Sequence, residues 1–182
     1  MGKPKQITKE DLIRAVKQQL LQKGHNRVTL KNVAEQAGVT QGVVYYHFKT
    51  KDQLFISLLQ DYLENVVFEE FEPFRERDSL EGMKAYLKEK AYQVHVKTED
   101  QPLLFQLAEL SLHHKEMKKV MGKIMQERVK EINTLFHKDE ASGRILMAAL
   151  DGLTLQALFD PTFEAKDLFN QVYELLLSKE GE

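Results

Sequence analysis

Apolar residues recur at three- and four-residue intervals along nearly the whole chain, and the two-residue alternation of a half-buried strand is absent. That spacing predicts helices over 8–23, 30–37, 41–47, 51–70, 79–97, 102–112, 116–137, 141–159 and 165–178, an all-α chain of about nine helices. Gly24 and Gly38 close the first two, because a left-handed residue turns the chain at least cost when it has no side chain. Pro73, Pro102 and Pro161 fall at later breaks. Two short helices joined by a Gly turn form a helix-turn-helix. The expected division is therefore a helix-turn-helix head over 1–50 and a helical body over 51–182.

Four helix starts share one chemistry. Thr8, Thr29, Thr40 and Thr50 each precede an apolar-periodic run, and Asp11 and Gln53 stand three residues after the first and last. A threonine there accepts a hydrogen bond from an unpaired backbone N–H. Ile7/Leu12, Val28/Val33 and Val39/Val44 are spaced to staple the first three entries.

The stretch VTQGVVYYHF, Val39 to Phe48, puts three polar-tipped rings on one short helix. At 100° per residue Val44 and Phe48 share the face that packs inward, and Gly42 and Tyr46 point the opposite way. Gln41 lies at the N-terminal tip and Tyr45 and His47 on the flanks. This is the layout of a recognition helix in the DNA major groove, tip on the bases and flanks on the phosphates. Gln41 can pair with adenine, Thr40 with bases or phosphate, and Gly42 lets the backbone approach the groove floor. Val43, Tyr45, Tyr46, His47, Lys49 and Lys51 complete the surface, and Thr29 and Lys31 open the helix that crosses the backbone. Lys3 and Lys5 add phosphate contacts. The charge agrees. Residues 1–51 carry ten Lys/Arg against three Asp/Glu, and residues 52–182 carry sixteen against twenty-five, so a +7 head is joined to a −9 body.

VTLKNVAEQAGVTQGVVYYHFKTKDQL resembles the DNA-binding domain of the TetR family of bacterial repressors. The positions that carry the resemblance are Thr29, Ala34, Ala37, Gly38, Val39, Thr40, Gly42, Val44, Tyr45, His47, Phe48, Lys51, Asp52 and Leu54, over about residues 8–60. The spacing departs by one at the end, where Leu54 follows Asp52 after a single residue. Further along, DGLTLQALFDPTFEAKDLFNQVYELLL is similar to the dimerising helix pair of one large subgroup. The resemblance implies a homodimer on a palindromic double-stranded DNA operator. It also implies a pocket in the body whose ligand changes the spacing of the two heads.

The body's own pattern is compatible with both. The apolar stripe Leu54, Phe55, Leu58, Leu59 and Leu63 would dock the head. Segments 145–159 and 168–177 hold more apolar surface than one core needs, which predicts a four-helix interface between two copies through Leu146, Leu150, Leu153, Leu168, Val172, Leu175 and Leu176, with Gly152 allowing close approach. An effector pocket would be lined by Met83, Tyr86, Leu87, Phe105, Gln106, Glu109, His113, Met117 and Met121, methionines suiting an adaptable cavity for a small apolar or amphipathic molecule. Ordinary core or solvated surface is the alternative for each of these.

Other chemistries find little footing. Zero cysteines remove disulfides and thiolate metal sites, and His95, His113, His114 and His137 lack metal-ligand spacing, so no metal and no cofactor is expected. No apolar run reaches the ~20 residues of a membrane helix, and the N-terminus has no signal-peptide core, so a cytoplasmic protein with no membrane partner is expected. No paired catalytic groups, phosphate loop or nucleophile elbow marks an enzyme. The expectation is a ligand-released repressor. The alternative is a DNA-bound adaptor of the same fold that recruits a protein without a small ligand.

Overall fold

The computed structural model describes residues 7–96, 100–160 and 162–177, and within them all side chains but those of 95, 100, 165, 166, 176 and 177. Lys3, Lys5 and Pro161, and the side chains of His95 and Leu176, lie outside the described residues. Regular structure among those residues is helical throughout: α1 Lys9–Lys23, α2 Leu30–Ala37, α3 Gln41–His47, α4 Lys51–Tyr62, α5 Phe68–Phe71, α6 Ser79–Val96, α7 Asp100–Leu112, α8 Lys115–Phe136, α9 Glu140–Phe159 and α10 Ala165–Leu177. The helix expected over 51–70 is present as α4 and α5, joined by a wide π turn at Leu63–Val67. A 3₁₀ turn at His25–Arg27 fills the gap between α1 and α2.

Three of the four threonine caps form as expected. Thr8 and Asp11 make a reciprocal capping box, the Asp11 N–H donating to Thr8 Oγ1 at 3.2 Å and the Thr8 N–H to Asp11 Oδ2 at 3.1 Å. Thr29 Oγ1 accepts from the Asn32 N–H and Thr50 Oγ1 from the Gln53 N–H, both at 3.1 Å. The fourth does not. Thr40 has extended backbone at the cap of α3, but its hydroxyl makes no capping bond. Gly38 takes the left-handed conformation, φ 68°, and the turn closes with Val39 N–H on the Ala34 carbonyl at 2.9 Å and Gly38 N–H on the Glu35 carbonyl at 3.2 Å.

The chain forms two compact units that do not follow a cut near residue 50. One comprises Met1–Leu63 and Leu103–Met121, the other Glu64–Pro102 and Gly122–Glu182. Chain order carries no information on which later segment joins the head, so this grouping is a finding of the structure. The π turn lies where the first passes into the second. Such turns break the regular i to i−4 ladder and are common at functional positions.

In the first unit α1 packs on α2 and α4, and α2 on α3. Leu12, Val16, Leu20, Val33, Val44, Phe48, Leu54, Leu58 and Leu59 are buried. An amide chain ties α1 to α2, with Gln19 Nε2 donating to Gln36 Oε1 and Gln36 Nε2 to Gln18 Oε1, each at 2.8 Å.

In the second unit α6 packs on α9 and α10. Its centre is a ring cluster in which Tyr86 stacks on Phe71 at 5.1 Å and meets Phe74 and Phe136 at 5.6 Å. Beside it lies a part-buried ion group. Glu70 pairs with Lys90 and accepts from the Tyr86 hydroxyl at 2.8 Å, and Arg128 holds Asp151 through two bonds of 3.0 and 2.7 Å. Burial acts to raise the Glu70 carboxyl. The charges of Lys90 and Arg128 and the hydrogen bonds from Lys90 and Tyr86 outweigh it, so the carboxyl titrates below the ordinary glutamate range. A depressed folded-state value contributes stability that is present above the unfolded value and lost as pH falls through the folded one.

Two outcomes follow from these contacts. Lys90→Met leaves the Glu70 carboxylate buried without its cation and should cost about 3–5 kcal/mol, while Glu70→Leu with Lys90→Met should recover most of that; denaturant unfolding measures both. Thr29→Ala and Thr50→Ala should each cost ~1 kcal/mol, and Thr40→Ala only a few tenths, because its hydroxyl caps nothing.

Candidate nucleic-acid interface

The site is one face of α3. Val44 and Phe48 are buried at 0% and 1% exposure, as the 100° spacing requires, which turns the opposite face outward. Tyr46 is 78% exposed and Tyr45 46%; Gln41 and Gly42 are exposed and His47 half-buried. The Tyr46 and His47 rings meet edge-on at 5.1 Å. The Thr40 hydroxyl, free of capping duty, stands at the same end as Gln41. An open slot of about 550 Å³ runs along this face, lined by Ile7, Val39, Thr40, Gly42, Val43, Tyr46 and His47. Ile7 and Val39 were read from the sequence only as staple residues; nothing local marks them as walls of a groove.

The cations divide into two groups. Lys31 and Lys49 are exposed; Lys31 lies 3.9 Å from Glu35, and Lys49 Nζ rests on the Tyr45 carbonyl at 2.9 Å. Lys51 is different. Its Nζ donates to the His25 carbonyl at 2.7 Å and sits 5.4 Å from the centre of the Phe55 ring. Burial holds this ammonium below the usual lysine range, against the opposing charge of Asp52. The phosphate contact expected of Lys51 thus competes with an internal bond that ties α4 to the turn after α1. Thr29 is exposed, with its hydroxyl engaged by Asn32.

The nine residues expected to line an effector pocket divide between the units. Met83, Tyr86 and Leu87 are core residues of the second, at 2%, 1% and 1% exposure. The other six belong to the first, where Met117 and Met121 are buried, Phe105 and Gln106 half-buried, and Glu109 and His113 exposed. Gln106 Oε1 is buried without a hydrogen-bond partner. Glu109 and His113 line a pocket of about 260 Å³ with His25, Lys51, Asp52, Phe55, Leu110 and His114. Across it His25 Nδ1 stands 3.7 Å from Glu109 Oε2 and His114 Nε2 3.7 Å from Asp52 Oδ1. These pairs join residues 62 and more positions apart in the chain, which local spacing cannot signal.

Of the residues expected between subunits, Leu146 and Leu150 are instead in the second unit's own core, at 1% and 2% exposure. Helix α9 is apolar around more than one face, so its period does not say which face turns in. One open stretch of the helix is carried by smaller residues. Ala148, Ala149, Gly152 and Gln156 form an open groove of about 330 Å³ with Leu153, Leu168, Gln171, Val172 and Leu175. Ile145, Phe159 and Leu175 are exposed at 61%, 81% and 69%. Among the described residues no helix is long and apolar enough to cross a membrane, and no cluster of His, Asp or Glu is arranged to hold a metal ion.

Comparison with known proteins bears on this head directly. Residues 12–58 match the family model described as bacterial regulatory proteins, tetR family. The chain is 33% identical over 82 residues to the probable acrEF/envCD operon repressor of Escherichia coli K12, a stretch that is 44% of this chain and 37% of that one; the chain thus matches little more than a third of this relative's length. The fold is shared with a transcriptional regulator from Rhodococcus sp. Rha1, at a TM-score of 0.83 and 18% identity over 95% of this chain and 97% of that. It is shared also with the Bacillus subtilis regulator FadR, solved in complex with stearoyl-CoA, at a TM-score of 0.75 and 18% identity over 94% of this chain and 98% of that. The Gly38 turn, the buried Val44–Phe48 face and the exposed tip all lie within residues 12–58, the stretch that is similar to the bacterial regulatory proteins of the tetR family.

Proposed function

We propose that this protein is a homodimeric transcriptional repressor that leaves a palindromic operator when its body takes up a small amphipathic effector. The observation that carries the reading is the outer face of α3, a surface of amide, hydroxyl and imidazole groups projecting from a positively charged head. Gln41 and Thr40 meet base edges, and Tyr45, His47, Lys31 and Lys49 meet phosphates. In the dimer two such helices about 34–36 Å apart enter successive major grooves. Operation in the cytoplasm is consistent with this role.

The groove between α9 and α10 supports the second copy. Its small residues let helices approach closely, and its exposed apolar neighbours are the composition of a buried interface. The effector reading leans on the FadR likeness, whose ligand joins a long acyl chain to a charged head group. In this chain the buried methionines Met117 and Met121 and the unpaired Gln106 Oε1 offer apolar and polar contacts to such a molecule. An effector must favour one head spacing over the other by roughly 10⁴-fold to invert a 1:99 balance.

Duplex selected by the protein from a random pool tests the reading. Gln41→Ala should lose about 1–3 kcal/mol of discrimination at one base position. Lys49→Ala should weaken all sequences alike and reduce the salt slope by about one. Stearoyl-CoA should release the wild-type complex; release by no acyl thioester, with DNA binding intact, would favour the adaptor alternative. Leu175→Glu should yield monomers in sedimentation without unfolding the chain, since Leu175 is largely exposed.

A further inference from the structure

Resting on the DNA-binding reading above, we infer that α3 reads a thymine 5-methyl group, with Val43 as the contacting residue and Ile7 and Val39 as the walls that enclose it. The first ground is what α3 lacks. Its sequence, QGVVYYH, contains no arginine or lysine, the residues that grip guanine through two hydrogen bonds. Gln41 at its tip is suited to adenine instead. Just inside the tip the surface turns apolar, with Val43 half-buried and lining the 550 Å³ slot together with Val39 and Ile7. Base pairs present polar atoms along the major groove, and the thymine methyl is the one apolar group on their edges. A valine held at the groove floor without a cation beside it on the helix has that methyl as its natural partner.

Gly42 strengthens the case. Its backbone is not in the left-handed region, and a Cβ built on it would meet only Thr40 Oγ1, at an ordinary 3.7 Å. The fold would therefore accept alanine here. The glycine leaves open the mouth of the slot, through which a base edge reaches Val43. The slot is much larger than a methyl group, so it admits the pyrimidine edge that carries the methyl. The +7 charge of residues 1–51 supplies the attraction that brings duplex to it.

The test uses the full chain and the duplex it selects. Each thymine is replaced singly by deoxyuridine, which removes the methyl and leaves every hydrogen-bonding atom in place. At one thymine in each half-site affinity should fall about fourfold, the worth of one buried methyl-sized group. Val43→Ala should bind the thymine and deoxyuridine duplexes equally well. Gly42→Ala should bind more weakly at an unchanged melting temperature. Indifference of the wild-type protein to every deoxyuridine replacement would overturn the inference while leaving DNA binding standing. So would a Val43→Ala protein that still prefers thymine. A protein that retains no duplex at low salt would overturn the DNA-binding reading itself and this inference with it.

Discussion

The anchoring of α3 by Val44 and Phe48 is the constraint on which the rest depends. A seven-residue helix is far too short to persist alone in water. It holds its shape because those two side chains are buried against neighbouring helices and because the Gly38 turn fixes its entry. Once that face is committed inward, the 100° period turns Gly42 and Tyr46 outward, and Gln41 is left exposed at the N-terminal tip. The functional surface is thus the remainder of a packing problem. It carries polar rings rather than long flexible cations, so little side-chain freedom is lost when a rigid partner meets it.

The same economy of space sorts the charges. The head is basic, yet its cations are not interchangeable. Lys49 and Lys31 stay on the surface, while Lys51 is drawn onto the His25 carbonyl and the Phe55 ring. A desolvated ammonium bonded to a carbonyl is a structural tie, and moving it to a phosphate would break that tie. Two imidazole–carboxylate pairs, His25 with Glu109 and His114 with Asp52, lie around the same pocket. The start of α4, the turn after α1 and the α7–α8 corner therefore form one polar neighbourhood within the first unit. In the second unit the charges follow the opposite logic. Arg128 is buried and Glu70, Lys90 and Asp151 are half-buried, and each is matched.

Local chemistry was legible in the sequence, and what was not legible depends on distant contacts. Helix positions followed from periodicity, and the Thr8, Thr29 and Thr50 caps from residue type and spacing. The orientation of α3 followed from Val44 and Phe48 alone. The Thr40 cap was expected on the same grounds and is not made, because sequence shows that a hydroxyl can reach an N–H and not that it does. The π turn at Leu63–Val67 has no residue signature, and the segment reads as an unbroken helix. Ile7 joins Val43 only through the tertiary path of the chain, so the slot could not be read in advance.

Helix α9 shows why apolar content alone does not say which face of a helix turns inward. Its apolar content exceeds what one core needs, and that excess is real. Leucines look like interface residues because they bring the most area, so Leu146 and Leu150 seemed the natural choice. In this helix, however, Leu146 and Leu150 fill space inside the chain, where density must be high, while Ile145 and Phe159 stay exposed. The face left over holds Ala148, Ala149 and Gly152, with no atom within 4 Å of a Cβ built on the glycine. Small residues on an outward apolar face have no packing role inside the monomer. They become useful when a second helix comes close, since small side chains permit short interaxial distances. The size of the residues, read together with the burial of their neighbours, therefore distinguishes the face of α9 that stays open from the one that fills the core.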